Sequence, residues 1–321
     1  MPELTRLAIL DDYQGAARAL GPWDRLPPGL GVEVFRDTLT DPDALAARLR
    51  PFDALAIMRE RTPFARALLD RLPNLRLLVT TGMRNRSVDL AACAEKGVTV
   101  CGTPGFGNPT VDLTWGLILA VMRRIPAQER ALRDGEWQPS LGNTVEGKTL
   151  GVLGLGNLGT RVARVGAAFG MRVVAWSPNL TAERAAAAGA ALVDKPTLMA
   201  EADVLTLHVV LSERSRGIVG AADLARMKPG AVVVNTSRGP LVDQPALIAA
   251  LREGRIAGAG LDVYDQEPLP PDHPILSAPN TVLTPHLGYV TEENYRIYFE
   301  GAVAAVEGYL KGSPVRVLSA D

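Results

Sequence analysis

The chain has 321 residues, 47% of them apolar, with 34 Lys and Arg against 35 Asp and Glu, for a formal net charge of −1. At about 150 residues per domain this is material for two packed domains, and the near-neutral balance excludes a general electrostatic pull toward nucleic acid or an anionic membrane. The longest apolar stretch, 113–122, is about half of what a membrane span needs. The start, MPELTRLAILDD, reads as a strand and not a signal peptide. Cys93 and Cys101 lack metal-ligand spacing and read as reduced core thiols of a cytoplasmic protein, with no metal site.

In the first third, β-rich runs at 7–10, 32–35, 54–58, 75–80 and 98–101 alternate with helical segments. Asp41 ahead of Pro42 and Thr62 ahead of Pro63 signal helix starts, and Ser87 opens a third helix that stops at Gly97. Such alternation predicts βαβ units around a parallel sheet. TPGFGNPT, at 103–110, is rich in Gly and Pro and predicts a crossing between domains. One long helix over 111–132 follows, with Trp115, Leu119 and Met122 at helical spacing, and then an irregular stretch to Lys148. A second series of strands is expected at 150–153, 172–176, 204–209, 231–235, 258–263 and 282–284, closed by a helix over 292–310. The fold class is therefore α/β, with two Rossmann-like doubly wound domains and a cleft between them.

The stretch KTLGVLGLGNLGTRVARVGAAFG couples a strand to an amphipathic helix through Gly154-Leu155-Gly156-Asn157-Leu158-Gly159. Gly154 permits the tight turn, Gly156 lets backbone approach a pyrophosphate, and Gly159 lets helix and strand pack closely. The helix N-terminus then faces the phosphates with unpaired N–H groups. At the end of the next strand, where an Asp or Glu would bind the ribose hydroxyls of NAD, the chain has Ser177. Two readings stand. Ser177 bonds the NAD ribose as a neutral partner, or Ser177, Asn179, Thr181 and Arg184 line the 2′-phosphate of NADP.

Hydride transfer to a carbonyl needs a proton donor, and the chain has three histidines. His273 lies in the proline-rich loop PLPPDHPIL and reads as structural. His208 ends a strand and either borders the cofactor or is simply packed. His286 follows a buried strand and a proline in NTVLTPHLG, at the carboxyl end where open α/β sheets bind ligands. Arg238, in VVVNTSRG, and Glu267, in AGAGLDVYDQEP, fall past strands of the same series. Together they make a 2-keto acid site. Arg238 grips the carboxylate through two parallel hydrogen bonds, His286 donates to the keto oxygen, and Glu267 holds the other ring nitrogen.

GKTLGVLGLGNLG, NTSRGPLVD, AGAGLDVYDQEPLP and LTPHLG, in this order and spacing, resemble the D-isomer-specific 2-hydroxyacid dehydrogenases, and the likeness covers nearly the whole chain. The resemblance implies Arg238, Glu267 and His286 as catalytic. It implies Gly154, Gly156, Asn157, Leu158, Gly159, Ser177, His208, Thr236 and Asp262 as cofactor-binding, with NAD or NADP as cofactor. It also implies that the last helix returns to the first domain. The substrate domain is then 1–103 plus 292–321, the dinucleotide domain 104–291, and the long helix with its arm forms a homodimer. TTGMRNRSVDL replaces the family's usual glycine-containing substrate loop, which suggests the backbone of Gly82, Met83 and Arg84 as carboxylate donors. Arg84 and Arg86 either add cations or are solvated, and Arg59 is another candidate for substrate. The partner is a small 2-keto or 2-hydroxy acid, with no nucleic acid and no membrane. A dinucleotide-sensing corepressor and phosphite oxidation are the alternatives on this scaffold. Formate is disfavoured, because similar formate dehydrogenases carry Gln where Glu267 stands.

Overall fold

The computed structural model describes residues 3–106 and 108–320. Met1, Pro2, Asp321 and Gly107, the last inside the segment read as a crossing, lie outside the described residues. The chain divides into two compact units, Met1–Phe106 with Val290–Asp321, and Gly107–Tyr289.

In the first unit, β1 (Arg6–Ile9), β2 (Gly31–Val34), β3 (Ala54–Ile57), β4 (Leu77–Thr80) and β5 (Thr99–Gly102) form a parallel sheet in the order β2-β1-β3-β4-β5. β3 and β4 are buried at every residue. They therefore carry continuous apolar runs instead of the alternation of a one-sided sheet. The helix Glu292–Leu310 packs against β4 and β5 and buries Tyr295, Phe299, Val303 and Val306.

The second unit holds β6 (Thr149–Leu153), β7 (Arg172–Trp176), β8 (Ala191–Leu192), β9 (Val204–Leu207), β10 (Val232–Asn235), β11 (Gly258–Leu261) and β12 (Thr281–Leu283). Their order is β12-β11-β10-β9-β6-β7-β8, all parallel. The order reverses between β6 and β9, which is the switch point where doubly wound sheets bind ligands outside the carboxyl ends of their strands. Two apolar layers cover the sheet, one containing Leu205, Val233 and Leu247, the other Ile118, Val152 and Val162. Both units are thus parallel α/β sheets of the Rossmann type.

Several local expectations are corrected. The helix expected over 111–132 is two helices, Asn108–Met122 and Ile125–Arg133, separated at Arg124 with φ +54°. Pro126 is the cause, because a proline inside a helix removes an N–H and its ring meets the carbonyl four residues back. Thr62 does not start a helix. Its hydroxyl donates to buried Asp11 at 2.8 Å, and the helix begins instead at Arg66. Ser87 is held by the Asn85 side chain, while Asp89 accepts the Ala92 N–H and caps the helix Leu90–Glu95. Asp41 does cap its helix, accepting from Ala44 N at 2.8 Å. β8 is only two residues long and leaves no periodic signal. Among the described residues no helix is long and apolar enough to cross a membrane.

Candidate active site

β6 runs straight into the glycine turn. Gly154 takes φ +101°, and a Cβ there would lie 2.7 Å from the backbone carbon of His208 at the end of β9. Glycine at this position therefore satisfies both the backbone conformation and the close approach of two loops at the switch point. A Cβ on Gly159 would come 2.0 Å from the Gly154 carbonyl, so the helix Asn157–Ala168 sits directly on the turn. Gly156, its N-cap, is exposed, provides no side-chain cap, and has open space where a Cβ would be. Asn157 is exposed beside it, while Leu158 packs inward. The uncapped N–H groups of this first turn suit a pyrophosphate.

A cavity of about 380 Å³ opens beside the turn. Gly154, Gly156, Ser177, Asn179, Arg184, His208 and Arg214 are among its lining residues, and none of that lining is acidic. Ser177 follows β7 directly. Thr181 is not in the lining; its hydroxyl caps the helix Ala182–Ala187 by accepting from Arg184 N at 3.3 Å. His208 shares a 2.9 Å hydrogen bond between Nε2 and the Thr206 hydroxyl, and burial pulls its pKa down to about 4, so the ring is neutral at physiological pH. Glycines without a side chain in the way, uncapped N–H groups and a lining free of carboxylates fit a dinucleotide. Arg214 lies in SERSRG, which carries no recognisable pattern, so the sequence holds no signal of its place on this cavity.

The second cluster forms past β10, β11 and β12, at the same carboxyl edge. His286 Nδ1 lies 2.5 Å from Glu267 Oε2, and the other carboxylate oxygen accepts the Tyr264 N–H at 2.8 Å. Glu267 is thus anchored on its own loop by one oxygen while the other faces the ring. His286 has φ +55°, a conformation uncommon for non-glycine residues. Asp262 holds it there. Its carbonyl accepts the His286 N–H, and its carboxylate accepts from Leu287 N at 2.7 Å, Gly288 N at 2.8 Å and the Thr284 hydroxyl at 2.6 Å. Asp262 is fully buried, and burial pushes its carboxyl up against the downward pull of those bonds. Thr236 is also buried, with its hydroxyl 2.7 Å from that of Thr114. The side chains of Asp262 and Thr236 are both engaged inside the unit. Tyr289 sets its ring edge-on to His286 at 5.5 Å.

Arg238 follows β10 in extended conformation and opens the short helix Gly239–Leu241. The Asn235 side chain shapes this corner, accepting the Ser237 N–H and donating to the Arg238 carbonyl. Arg238 Nη1 donates to the Ser237 carbonyl at 2.8 Å. His273, by contrast, accepts the Ile275 N–H through Nδ1 and caps the helix Pro274–Ser277.

In the first unit, Arg59 and Gly82 are brought together: a Cβ on Gly82 would lie 2.0 Å from Arg59 Nη1. The Gly82 N–H is taken by the Thr103 hydroxyl at 2.9 Å, whereas Met83, Arg84 and Arg86 are exposed. Buried Asn85 fixes the loop by donating to the Arg59 carbonyl and the Thr80 hydroxyl.

Comparison with known proteins agrees with this geometry. Residues 115–288 match the NAD-binding domain of D-isomer specific 2-hydroxyacid dehydrogenases. The chain is 38% identical to a glyoxylate reductase of Aeropyrum pernix over 82% of this chain and 81% of that one. It is 35% identical to a D-3-phosphoglycerate dehydrogenase of Archaeoglobus fulgidus over 89% of this chain but 55% of that protein, so it spans about half the length of that relative. The solved phosphoglycerate oxidoreductase of Vibrio cholerae superposes with a TM-score of 0.91 at 41% identity, covering 96% of this chain and 100% of that one. The chain belongs to the D-isomer specific 2-hydroxyacid dehydrogenase family, and its second unit carries that family's NAD-binding domain.

Proposed function

We propose that this protein reduces a 2-keto acid to the D-2-hydroxy acid with NADH or NADPH. The 2.5 Å contact between His286 and Glu267, at the sheet edge that also carries the glycine turn, is the observation that carries the reading. The bound nicotinamide supplies the hydride. With Nδ1 held by Glu267, His286 has Nε2 left to give a proton to the oxygen that becomes negative as the carbonyl is reduced. Arg238 binds the substrate carboxylate, for which a guanidinium fork is the matching donor. Exposed Arg84 and Met83 belong to the loop assigned to substrate recognition, with Arg59 buttressing it through Gly82.

Initial rates with glyoxylate, hydroxypyruvate, pyruvate and phenylpyruvate, each with NADH and NADPH, test the proposal. Turnover of at least one keto acid to the D-isomer is expected. Tight dinucleotide binding with no turnover across the panel would overturn it and favour a sensor.

We also propose that a second copy of this chain covers the arm at 125–141. Trp137 is 78% exposed and Leu141 92%, with Ile125 and Leu132 more than half exposed nearby. Exposed apolar groups gathered in one stretch mark an interface. Sedimentation of the wild type should show a dimer, and Trp137→Glu with Leu141→Glu should yield monomer. A monomeric wild type would remove the assignment. Cys93 and Cys101 are free and buried, with both thiols pushed up to about 11, which suits the cytoplasmic location proposed for the protein.

A further inference from the structure

We propose that the cavity beside Gly156 is a 2′-phosphate pocket formed by Arg184 and Arg214, and that the working cofactor is NADPH. The inference rests on the function proposed above, because it names which dinucleotide that reaction uses.

Three features of the cavity carry it. The first is what stands at the end of β7. A carboxylate there accepts from the ribose hydroxyls of NAD and repels a phosphate. Ser177 occupies the place, and no other acid lines the space; the neighbouring Glu183 and Glu213 are outside the lining. The second is the origin of the two cations. Arg184 comes from the helix after β7 and Arg214 from the segment after β9, so the chain brings two guanidinium groups from different loops to one cavity. The third is that the protein does not neutralise them. Arg214 has no ion-pair or hydrogen-bond partner among the described residues, and the Arg184 guanidinium makes only a 3.4 Å contact with the Asn179 carbonyl. Arg48 and Arg66, by contrast, are paired with Asp37 and Glu95.

A pocket with two unneutralised guanidinium groups and no carboxylate is poorly matched to a neutral ribose diol. It is well matched to a dianion, since the planar fork of arginine presents parallel N–H donors to phosphate oxygens. Ser177 and Asn179, which also line the cavity, add neutral donors. The pocket reaches continuously to Gly154 and Gly156, so one dinucleotide spans both the pyrophosphate turn and the arginines.

Equilibrium titrations with NADPH, NADH, 2′,5′-ADP and 5′-AMP test this without turnover. NADPH should bind at least about ten-fold tighter than NADH, and 2′,5′-ADP tighter than 5′-AMP, as expected for partly exposed charge-assisted contacts. The NADPH advantage should shrink with added salt. Arg214→Ala and Arg184→Ala should each weaken NADPH and 2′,5′-ADP about ten-fold while NADH affinity holds, and Ser177→Asp should reverse the preference. Equal affinity of the wild type for both dinucleotides, or an equal loss for both in the arginine variants, would overturn the assignment and leave the oxidoreductase reading intact. Failure of both dinucleotides to bind would remove that reading and this one together.

Discussion

His286→Asn should lower turnover by about 10²- to 10⁴-fold, the usual contribution of a positioned general acid, with little change in dinucleotide affinity. The choice of asparagine matters. Residue 286 sits at φ +55°, and Asn is among the few residues that enter the left-handed region readily. The four bonds from Asp262 to residues 284–288 can therefore persist in the variant. What is lost is the imidazole whose Nδ1 faces Glu267 and whose Nε2 is the remaining donor. The glycine turn at the end of β6 does not touch this loop, so the Kd for NADH should stay near the wild-type value. Single-turnover rates and dinucleotide titration separate the two effects. Near-wild-type turnover would sink the role of His286. A matching loss of dinucleotide binding would mean that the substitution had disturbed the unit as a whole.

The parts of the site that could be read in the sequence are those where a residue type is demanded by local geometry. Gly154 and Gly159 were legible because backbone turn and helix packing impose glycine there, while Gly156, with open space where a Cβ would be, leaves room for a pyrophosphate to approach. The strand ends carrying Arg238 and Glu267 were legible because β10 and β11 are buried throughout, whereas the strand before His286, expected to be buried, is half-buried because β12 lies at the edge of the sheet. Harder to read were features decided by distant partners. Thr62 looks like a cap ahead of Pro63, yet it bonds to Asp11, 51 positions away. Arg214 lies in a polar segment without periodicity, and only the folded chain places it on the same cavity as Ser177. The resemblance implies Asp262 as cofactor-binding, and only the folded chain shows its carboxylate accepting from the turn that carries His286. The helix break at Arg124 was different in kind: Pro126 was visible in the sequence, and the apolar period running through 111–132 concealed its effect.

Gly239→Ala should lower kcat/KM about 100-fold while sparing dinucleotide binding. A Cβ on Gly239 would lie 2.0 Å from the carbonyl carbon of Tyr264, 2.1 Å from its oxygen and 2.6 Å from Asp265 N. All three are backbone atoms, so no side-chain rotation relieves the clash, and the two loops must separate. One loop carries Arg238, held by the Asn235 side chain. The other carries Glu267, whose carboxylate accepts from Tyr264 N as well as facing His286. A single methyl group thus displaces the proposed carboxylate-binding and ring-orienting residues together, and a shift near 1 Å in a reacting constellation is worth about 10²-fold in rate. Overpacking of this kind destabilises by about 1–3 kcal/mol, which thermal unfolding should register. The turn at Gly154–Gly159 has no part in the contact, and sites without shared partners respond independently, so the Kd for NADH should stay close to that of the wild type. A variant with wild-type kcat/KM would show that the two loops need not be in contact for catalysis. One that lost NADH binding as well would show that the clash propagates across the sheet from β11 to β6, against the independence that the geometry implies.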